Sequence, residues 1–226
     1  MAKQIPMIFN QEMVKAIASG RKTVTRRPIQ FDVKLSEKMG FGFKDKQGEW
    51  WMCGLGADHD GTVSNFVKSK SPVQVGDLIW VRETFRYFNA SNECGCSESP
   101  CGCPSTGTPI YKAFGDSGED KWKPSIHMPK KASRLTLKVS KVGIERLQDI
   151  SNDQARSEGC NAPLYVTDEA GNAVPPKHHT LTSAFPSEKH WFSCLWDAIY
   201  GSWSDNPYVW VIEFEVVEKN ILEVAA

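Results

Sequence analysis

The sequence predicts an α+β fold in which a small, mostly antiparallel β-barrel carries short helices. Segments at 78–85, 135–140 and 208–217 have the apolar, partly alternating character of strands. The segments with helical character are short and are bounded by capping residues. Few strands alternate with helices long enough to act as crossovers between parallel strands, so a doubly wound parallel sheet is disfavoured.

The first helix is predicted over residues 11–18. Asn10 is a suitable N-cap, Met13 and Ile17 share one face, and Gly20 can end the helix. The next regular segment is the strand 78–85, which follows a turn containing Gly and Asp.

The second half of the chain continues in the same way. In the strand 135–140, apolar and polar residues alternate. Ser151 and Gln154 form a capping-box sequence for a short helix that runs to Gly159. Ser187 can cap a longer helix in which apolar residues recur at every fourth position: Trp191, Leu195 and Ile199.

The strongest strand signal covers residues 208–217, with Pro207 at its start. One face of this strand is apolar: Trp210, Ile212, Phe214 and Val216. Segments 89–120 and 161–186 have no apolar periodicity and are interpreted as loop insertions. With 226 residues, the chain is predicted to form a single domain over 1–226.

Composition narrows the class of function. The 27 basic and 27 acidic residues give a net charge of zero, which excludes a uniformly basic coat for non-specific nucleic-acid binding. Residues 1–30 and 121–146 are nevertheless locally basic, and they would suit an anionic ligand of limited size unless they are simply solvated faces. The chain has no apolar run of the ~18 residues that a membrane span needs, and no signal-peptide core. A cytoplasmic protein is therefore expected, in the host cytoplasm if the chain is phage-encoded.

A dense basic cluster follows the first predicted helix. Arg21, Arg26 and Arg27 surround Lys22, and Thr25 lies within the same segment. Neighbouring cations disfavour the charged form of a lysine, so partial burial would lower the pKa of Lys22. A neutral lysine can act as a base or nucleophile. The alternative is an exposed basic turn.

The seven cysteines include a cluster of two C-x-C pairs: Cys94, Cys96, Cys101 and Cys103. An odd number of cysteines in a reducing compartment favours metal binding or free thiols over a disulfide framework. Four thiolates would complete the coordination of one structural Zn²⁺. Structural zinc sites usually have C-x-x-C spacing, so free or oxidised thiols are the alternative. No organic cofactor is expected.

Several segments together resemble the ASCH-domain family of the PUA-like β-barrel superfamily: 8–9, 17–27, 76–77 and 147–159. The family signature begins with Gly and Lys and ends in Arg, matching Gly20, Lys22 and Arg27. Segments 80–85, 122–129 and 206–210 are similar to a phage and prophage branch often labelled "morphogenetic protein". The resemblance implies a PUA-like barrel with two loop insertions.

The resemblance also implies a function, because small bacterial ASCH proteins hydrolyse the acetyl amide of N4-acetylcytidine. By motif, their catalytic Lys, Thr and Glu correspond to Lys22, Thr25 and Glu158. Lys22 would take the proton from Thr25, whose oxygen attacks the carbonyl, while Glu158 handles protons or orients the lysine. Arg27 or a backbone N–H would stabilise the oxyanion.

Two other functions use the same features. The chain could be a non-catalytic reader of single-stranded RNA or modified bases, or an ASCH-type ribonuclease. Trp122 and His127 lie in a basic stretch and are candidate substrate-binding residues together with Arg21, Arg26 and Arg27. A structural role in phage assembly rests on the family label alone. The expected partner is a nucleoside or single-stranded nucleic acid.

Overall fold

The computed structural model describes residues 2–36, 40–44, 48–53, 67, 70–96, 101–115, 121–164, 166–168, 172–174, 184–217 and 219–224. Within these ranges the chain forms twelve strands and five α-helices, so the protein is of the α+β class. The strands are β1 (Gln4–Ile8), β2 (Val24–Pro28), β3 (Val33–Ser36), β4 (Gly40–Lys44), β5 (Trp50–Cys53), β6 (Leu78–Arg82), β7 (Phe85–Tyr87), β8 (Pro109–Tyr111), β9 (Thr136–Arg146), β10 (Val166–Thr167), β11 (Ala173–Val174) and β12 (Tyr208–Val217). The helices are α1 (Gln11–Ala18), α2 (Ala90–Glu93), α3 (Asn152–Ser157), α4 (Glu188–Tyr200) and α5 (Ile221–Val224).

The largest sheet has five strands in the order β1-β6-β9-β12-β2. It is mixed, because β1 pairs with β6 in parallel whereas β6–β9 and β12–β2 are antiparallel. Smaller antiparallel sheets are formed by β3-β4-β5, β7-β8 and β10-β11. In the part of the chain that is described, the five-stranded order is open at β1 and β2, and a closed barrel stays a prediction.

The chain divides into two compact units, and the single domain over 1–226 also stays a prediction. The first unit comprises Met1–Gly20, Asp77–Lys138 and Val216–Ala226, and the second comprises Arg21–Gly76 and Val139–Glu215. None of the helices within the described ranges combines the length and apolar character that crossing a bilayer demands.

In the first unit, the N-terminal helix has the predicted bounds. The Asn10 side chain accepts a hydrogen bond from the Met13 N–H at 2.8 Å, which confirms the predicted cap. The predicted strand 78–85 is interrupted between β6 and β7. Glu83, which is 2% exposed, forms a bidentate ion pair with Arg134 at 2.9 Å in this gap. Beyond it the chain changes partner, since β7 pairs with β8 rather than with the large sheet.

In the second unit, the predicted capping box of α3 is confirmed. The longer helix α4 begins after Ser187 and ends at Gly201, also as predicted. Its most buried stripe, however, is Glu188, Phe192 and Trp196, one position away from the predicted stripe. The reason is packing: Phe192 and Trp196 belong to a core cluster whose other members are Leu147, Ile150, Ala155, Val209 and Val211.

Strand β12 also differs from its predicted pattern, because both of its faces are buried between Val209 and Ile212. Val209 and Val211 belong to the core cluster next to α4, while Trp210 and Ile212 on the other face are equally inaccessible. Where both faces of a strand are covered, no solvent-facing side remains and apolar residues follow one another directly. The segments predicted as loops contain α2 and β8 in 89–120, and the β10–β11 hairpin in 161–186.

Candidate active site and metal site

The backbone joins two residues that are distant in the sequence, Lys22 and Glu158. Lys22 lies just before β2, and Glu158 follows α3 as its C-cap. An isolated antiparallel bridge pairs them, and the Thr23 N–H donates to the Ser157 carbonyl at 2.9 Å. Gly159 takes a φ of +101°, a conformation that favours glycine at the end of a helix. The turn after α3 is therefore fixed against the start of β2.

The side chains of this pair are in direct contact. Lys22 Nζ donates to Glu158 Oε2 at 2.5 Å and to the Glu158 carbonyl oxygen at 3.0 Å. The exposed fractions of the two side chains are 0% and 2%. A charge this deeply buried is tolerated in proteins when it is paired and hydrogen-bonded, as both groups are here.

Arg26 extends the pair into a network of two cations and two carboxylates. Its Nη1 donates to Glu158 Oε1 at 3.2 Å, and its Nη2 donates to Glu145 Oε2 at 2.9 Å. Gln154 Nε2 reaches the second oxygen of Glu145 at 3.5 Å. Glu145 was not among the predicted site residues, although it is the one acidic residue in the basic stretch 121–146. That isolated negative charge is the signal by which it could have been found.

Burial lowers the pKa of Lys22 below the usual 10.5 of lysine. The positive charges of Arg27 and Arg26 act in the same direction, while the carboxylate of Glu158 opposes them. The cost of removing an ammonium group from water is thus the largest effect at this site. It favours the neutral amine, which is the form that can accept a proton.

Thr25 is also buried. It lies on β2 opposite Ile212 of β12, next to Arg26, which lies opposite Val211. Successive side chains of a strand project to opposite faces, so Thr25 and Arg26 face opposite sides of β2. In the described part of the chain, the Thr25 hydroxyl makes no hydrogen bond to Lys22 or Glu158.

The other predicted binding residues have separate surroundings. Arg21 Nη1 donates to the Gly159 carbonyl oxygen at 3.1 Å, and Arg27 Nη1 donates to the Tyr200 hydroxyl at 3.3 Å. Trp122 and His127 belong to the first unit. Trp122 is half-buried with the Arg86 guanidinium 5.5 Å from its ring centroid, and His127 is exposed.

Four cysteine sulfurs lie close together in the connection between β7 and β8. They are Cys94, Cys96, Cys101 and Cys103, whose sulfurs all lie within 4.8 Å of one another. The S···S distances include 3.3 Å for 94–96, 3.4 Å for 94–101 and 3.7 Å for 96–103. Sulfurs bound tetrahedrally at ~2.3 Å from Zn²⁺ are about 3.8 Å apart, so the cluster is close enough to hold one metal ion. The 96–101 pair, at 2.7 Å, would have to open.

The thiols of this cluster influence one another. Hydrogen bonds from Cys96 and from the Cys103 N–H lower the pKa of Cys101 to about 7, and the reciprocal bond raises the pKa of Cys96 to about 12. The thiolate is the form that binds a metal. A divalent cation would replace this sharing of protons and would offset two of the four negative charges of the thiolates.

Comparison of the chain with models of protein families, with curated proteins and with solved structures found no match in any of the three. What characterises the protein is therefore the chemistry of its own residues. It has a buried lysine held by a carboxylate, an arginine that bridges two carboxylates, and four thiols around one point.

Proposed function

We propose that this chain is a PUA-like protein of the ASCH type that hydrolyses an amide on a nucleoside, with an N4-acylated cytidine as substrate. The observation that supports the proposal is the buried lysine Lys22, whose lowered pKa favours the neutral amine and whose partner Glu158 holds it in place. An amide is stable in water at neutral pH, so its hydrolysis requires a base that activates the nucleophile. A desolvated lysine is suited to that role.

In the proposed reaction, neutral Lys22 removes a proton from the attacking water molecule as the water oxygen bonds to the acyl carbon. The ammonium so formed donates the proton to the cytosine N4 nitrogen when the C–N bond breaks, giving cytidine and a carboxylic acid. Glu158 stabilises the transient ammonium. Arg27 lies two positions after Thr25 and so on the same face of β2, which leaves a backbone N–H as our candidate for stabilising the oxyanion. Because Lys22 has no exposed surface, the packing around it must open to admit the amide.

The nucleophile implied by the family resemblance is the Thr25 hydroxyl. Its position on the opposite face of β2 from Arg26 gives this role no geometric support. We therefore propose water as the nucleophile. Thr25→Val removes the hydroxyl and keeps the branched shape, and it should retain turnover. Loss of turnover in Thr25→Val, with Thr25→Ser still active, would indicate that the Thr25 hydroxyl is the nucleophile.

The function is tested by incubating the purified protein with N4-acetylcytidine and following cytidine and acetate by chromatography. We expect both products in equal amounts. A single-stranded RNA oligonucleotide serves as the parallel substrate, and its cleavage instead of amide hydrolysis would support the ribonuclease alternative. A folded protein that turns over neither substrate but binds the oligonucleotide would be a reader.

We also propose that Cys94, Cys96, Cys101 and Cys103 bind one structural Zn²⁺. What supports this is the convergence of four thiols in the β7–β8 connection, whose described residues otherwise contain one turn of helix, α2. Protein purified without chelator should contain close to one zinc per chain. Cys96→Ser should lower zinc affinity, and Cys194→Ser, outside the cluster, should leave it unchanged. A metal-free and fully folded protein with four reactive thiols would contradict the proposal.

A further inference from the structure

The second unit contains a cavity of about 390 Å³ that combines cationic and aromatic side chains. Arg27 and Lys70 supply the positive charge, and Phe31, Tyr200 and Trp210 supply the rings. We call it the Trp210 cavity. Arg27 is held by its hydrogen bond to the Tyr200 hydroxyl. Lys70 Nζ lies 3.6 Å from the ring centroid of Phe43, which fixes the position of its ammonium.

A second cavity, of about 340 Å³, shares a wall with the first. Gln30 and Phe31 line both cavities, while Arg146 and Tyr208 line the second, which we call the Tyr208 cavity. The Arg146 guanidinium is stacked 4.0 Å from the ring centroid of Tyr208. Both volumes fall within the range of ~300–1,000 Å³ that is usual for small-ligand sites.

The charge of the two cavities favours an anionic ligand. Three cations line them, Arg27, Lys70 and Arg146, against one carboxylate, Asp32. Arg27 comes from the basic segment 1–30 and Arg146 from the basic segment 121–146, so each segment contributes one cation to this region of the second unit. A ligand with one phosphate per repeating group would match this distribution.

The position of Phe31 favours a ligand that repeats along its length. Phe31 lines both cavities, so a flat group in each cavity would have this ring between them. Aromatic rings and arginine guanidinium planes are the surfaces on which unpaired bases stack.

We propose that the Trp210 and Tyr208 cavities bind two successive nucleotides of a single-stranded nucleic acid, with Phe31 between the two bases. This proposal rests on the proposed function in one respect, because it assigns the acylated cytidine to a single strand of nucleic acid rather than to a free nucleoside. A duplex is excluded as the ligand because its bases remain stacked on one another and offer no face to Phe31.

The test measures fluorescence anisotropy of labelled eight-nucleotide uridine RNA and thymidine DNA, titrated with the full chain at 50 and 200 mM salt. Contacts from three cations predict a slope of log K against log salt of about −2, which is about a 20-fold loss of affinity between these concentrations. Binding of RNA alone would show that the 2′-hydroxyl is read. Equal binding of both would show recognition through bases and phosphates. Either result supports the proposal.

Variants distinguish this site from a general surface attraction. Phe31→Leu keeps the apolar volume and loses the ring, so it should weaken binding about 5- to 150-fold. Phe31→Tyr should restore binding. Lys70→Gln and Arg146→Gln should each make the salt slope shallower by about 0.7. Lys141→Gln is the matched control, because Lys141 is exposed, pairs with Glu213 and lines neither cavity.

Equal affinity of Phe31→Leu and the unchanged protein would overturn the proposal, as would a salt slope that Lys70→Gln and Arg146→Gln do not alter. Absence of binding at 50 mM salt by folded protein would do the same. Turnover of free N4-acetylcytidine without oligonucleotide binding would contradict this binding site and support the proposed reaction. Oligonucleotide binding without turnover would support this site and contradict the proposed reaction.

Discussion

Replacing Lys22 by methionine is expected to lower kcat for N4-acetylcytidine by about 10²- to 10⁴-fold, the range of effects for removing a general base. Methionine preserves most of the buried side-chain volume and lacks the amine. KM should change far less than kcat, because the base acts in the transition state rather than in substrate binding. Steady-state kinetics on the purified variant measures both quantities.

The matched control for this experiment is Lys141→Met. Lys141 lies on β9, in the same unit as Lys22, but its side chain is 71% exposed and forms a surface ion pair with Glu213 at 3.1 Å. Its replacement should leave kcat unchanged. Circular dichroism must show both variants folded. Equal kcat for Lys22→Met and the unchanged protein would show that the buried pair has a purely structural role.

Removing the carboxylate of Glu158 is expected to have the largest effect on stability. Glu158→Ala leaves Lys22 without its carboxylate partner and Arg26 with the partly exposed Glu145 alone, although both cationic side chains are fully buried. Breaking a buried ion pair from one side costs about 3–5 kcal/mol. Urea denaturation should show this loss in the free energy of unfolding.

The comparison variant is Glu213→Ala, which breaks the exposed pair with Lys141. Surface pairs contribute about 0–1 kcal/mol, so this variant should be nearly as stable as the unchanged protein. The double variant Lys22→Met/Glu158→Leu should lose less stability than the sum of its two single changes, because it removes both charges together. Equal losses from Glu158→Ala and Glu213→Ala would contradict the network that the structure describes.

Local signals explain which elements could be predicted from the sequence. Asn10, Ser151 and Ser187 each cap a helix through a hydrogen bond to a residue three positions away, and all three helices begin where predicted. The division of the strand 78–85 could not be predicted. It coincides with the contact between Glu83 and Arg134, which are 51 positions apart. No pattern among neighbouring residues predicts a partner that is so far away in the sequence.

Helix α4 shows a second limit. Its sequence contains two overlapping apolar stripes, and the spacing of Trp191, Leu195 and Ile199 is as regular as that of Phe192 and Trp196. The neighbours of the helix decide which stripe is buried. Ile199 is 44% exposed because the sheet packs against Phe192 and Trp196. Periodicity predicted the helix but not its rotation about its own axis.

The candidate site was predictable in part for related reasons. The family resemblance identified Lys22 and Glu158, and the structure brings them together. It also identified Thr25. The face of β2 on which the Thr25 side chain lies depends on the alternation along the strand, which a sequence motif does not specify. Glu145, Phe31 and Lys70 were not predicted. Glu145 joins the Lys22 network, and Phe31 and Lys70 line the Trp210 cavity, through contacts with residues that are distant in the sequence.

The pH dependence of kcat/KM for N4-acetylcytidine tests the central claim most directly. Lys22 must be neutral to accept a proton, and burial lowers its pKa below the 10.5 of an exposed lysine. Because the neutral fraction grows as the pH passes upward through this pKa, kcat/KM should rise with pH, with a midpoint below 10.5. A kcat/KM that falls over the same pH range would show that the charged form of Lys22 is the one required. That result, or no turnover by the folded protein, would contradict the role of Lys22 as the base.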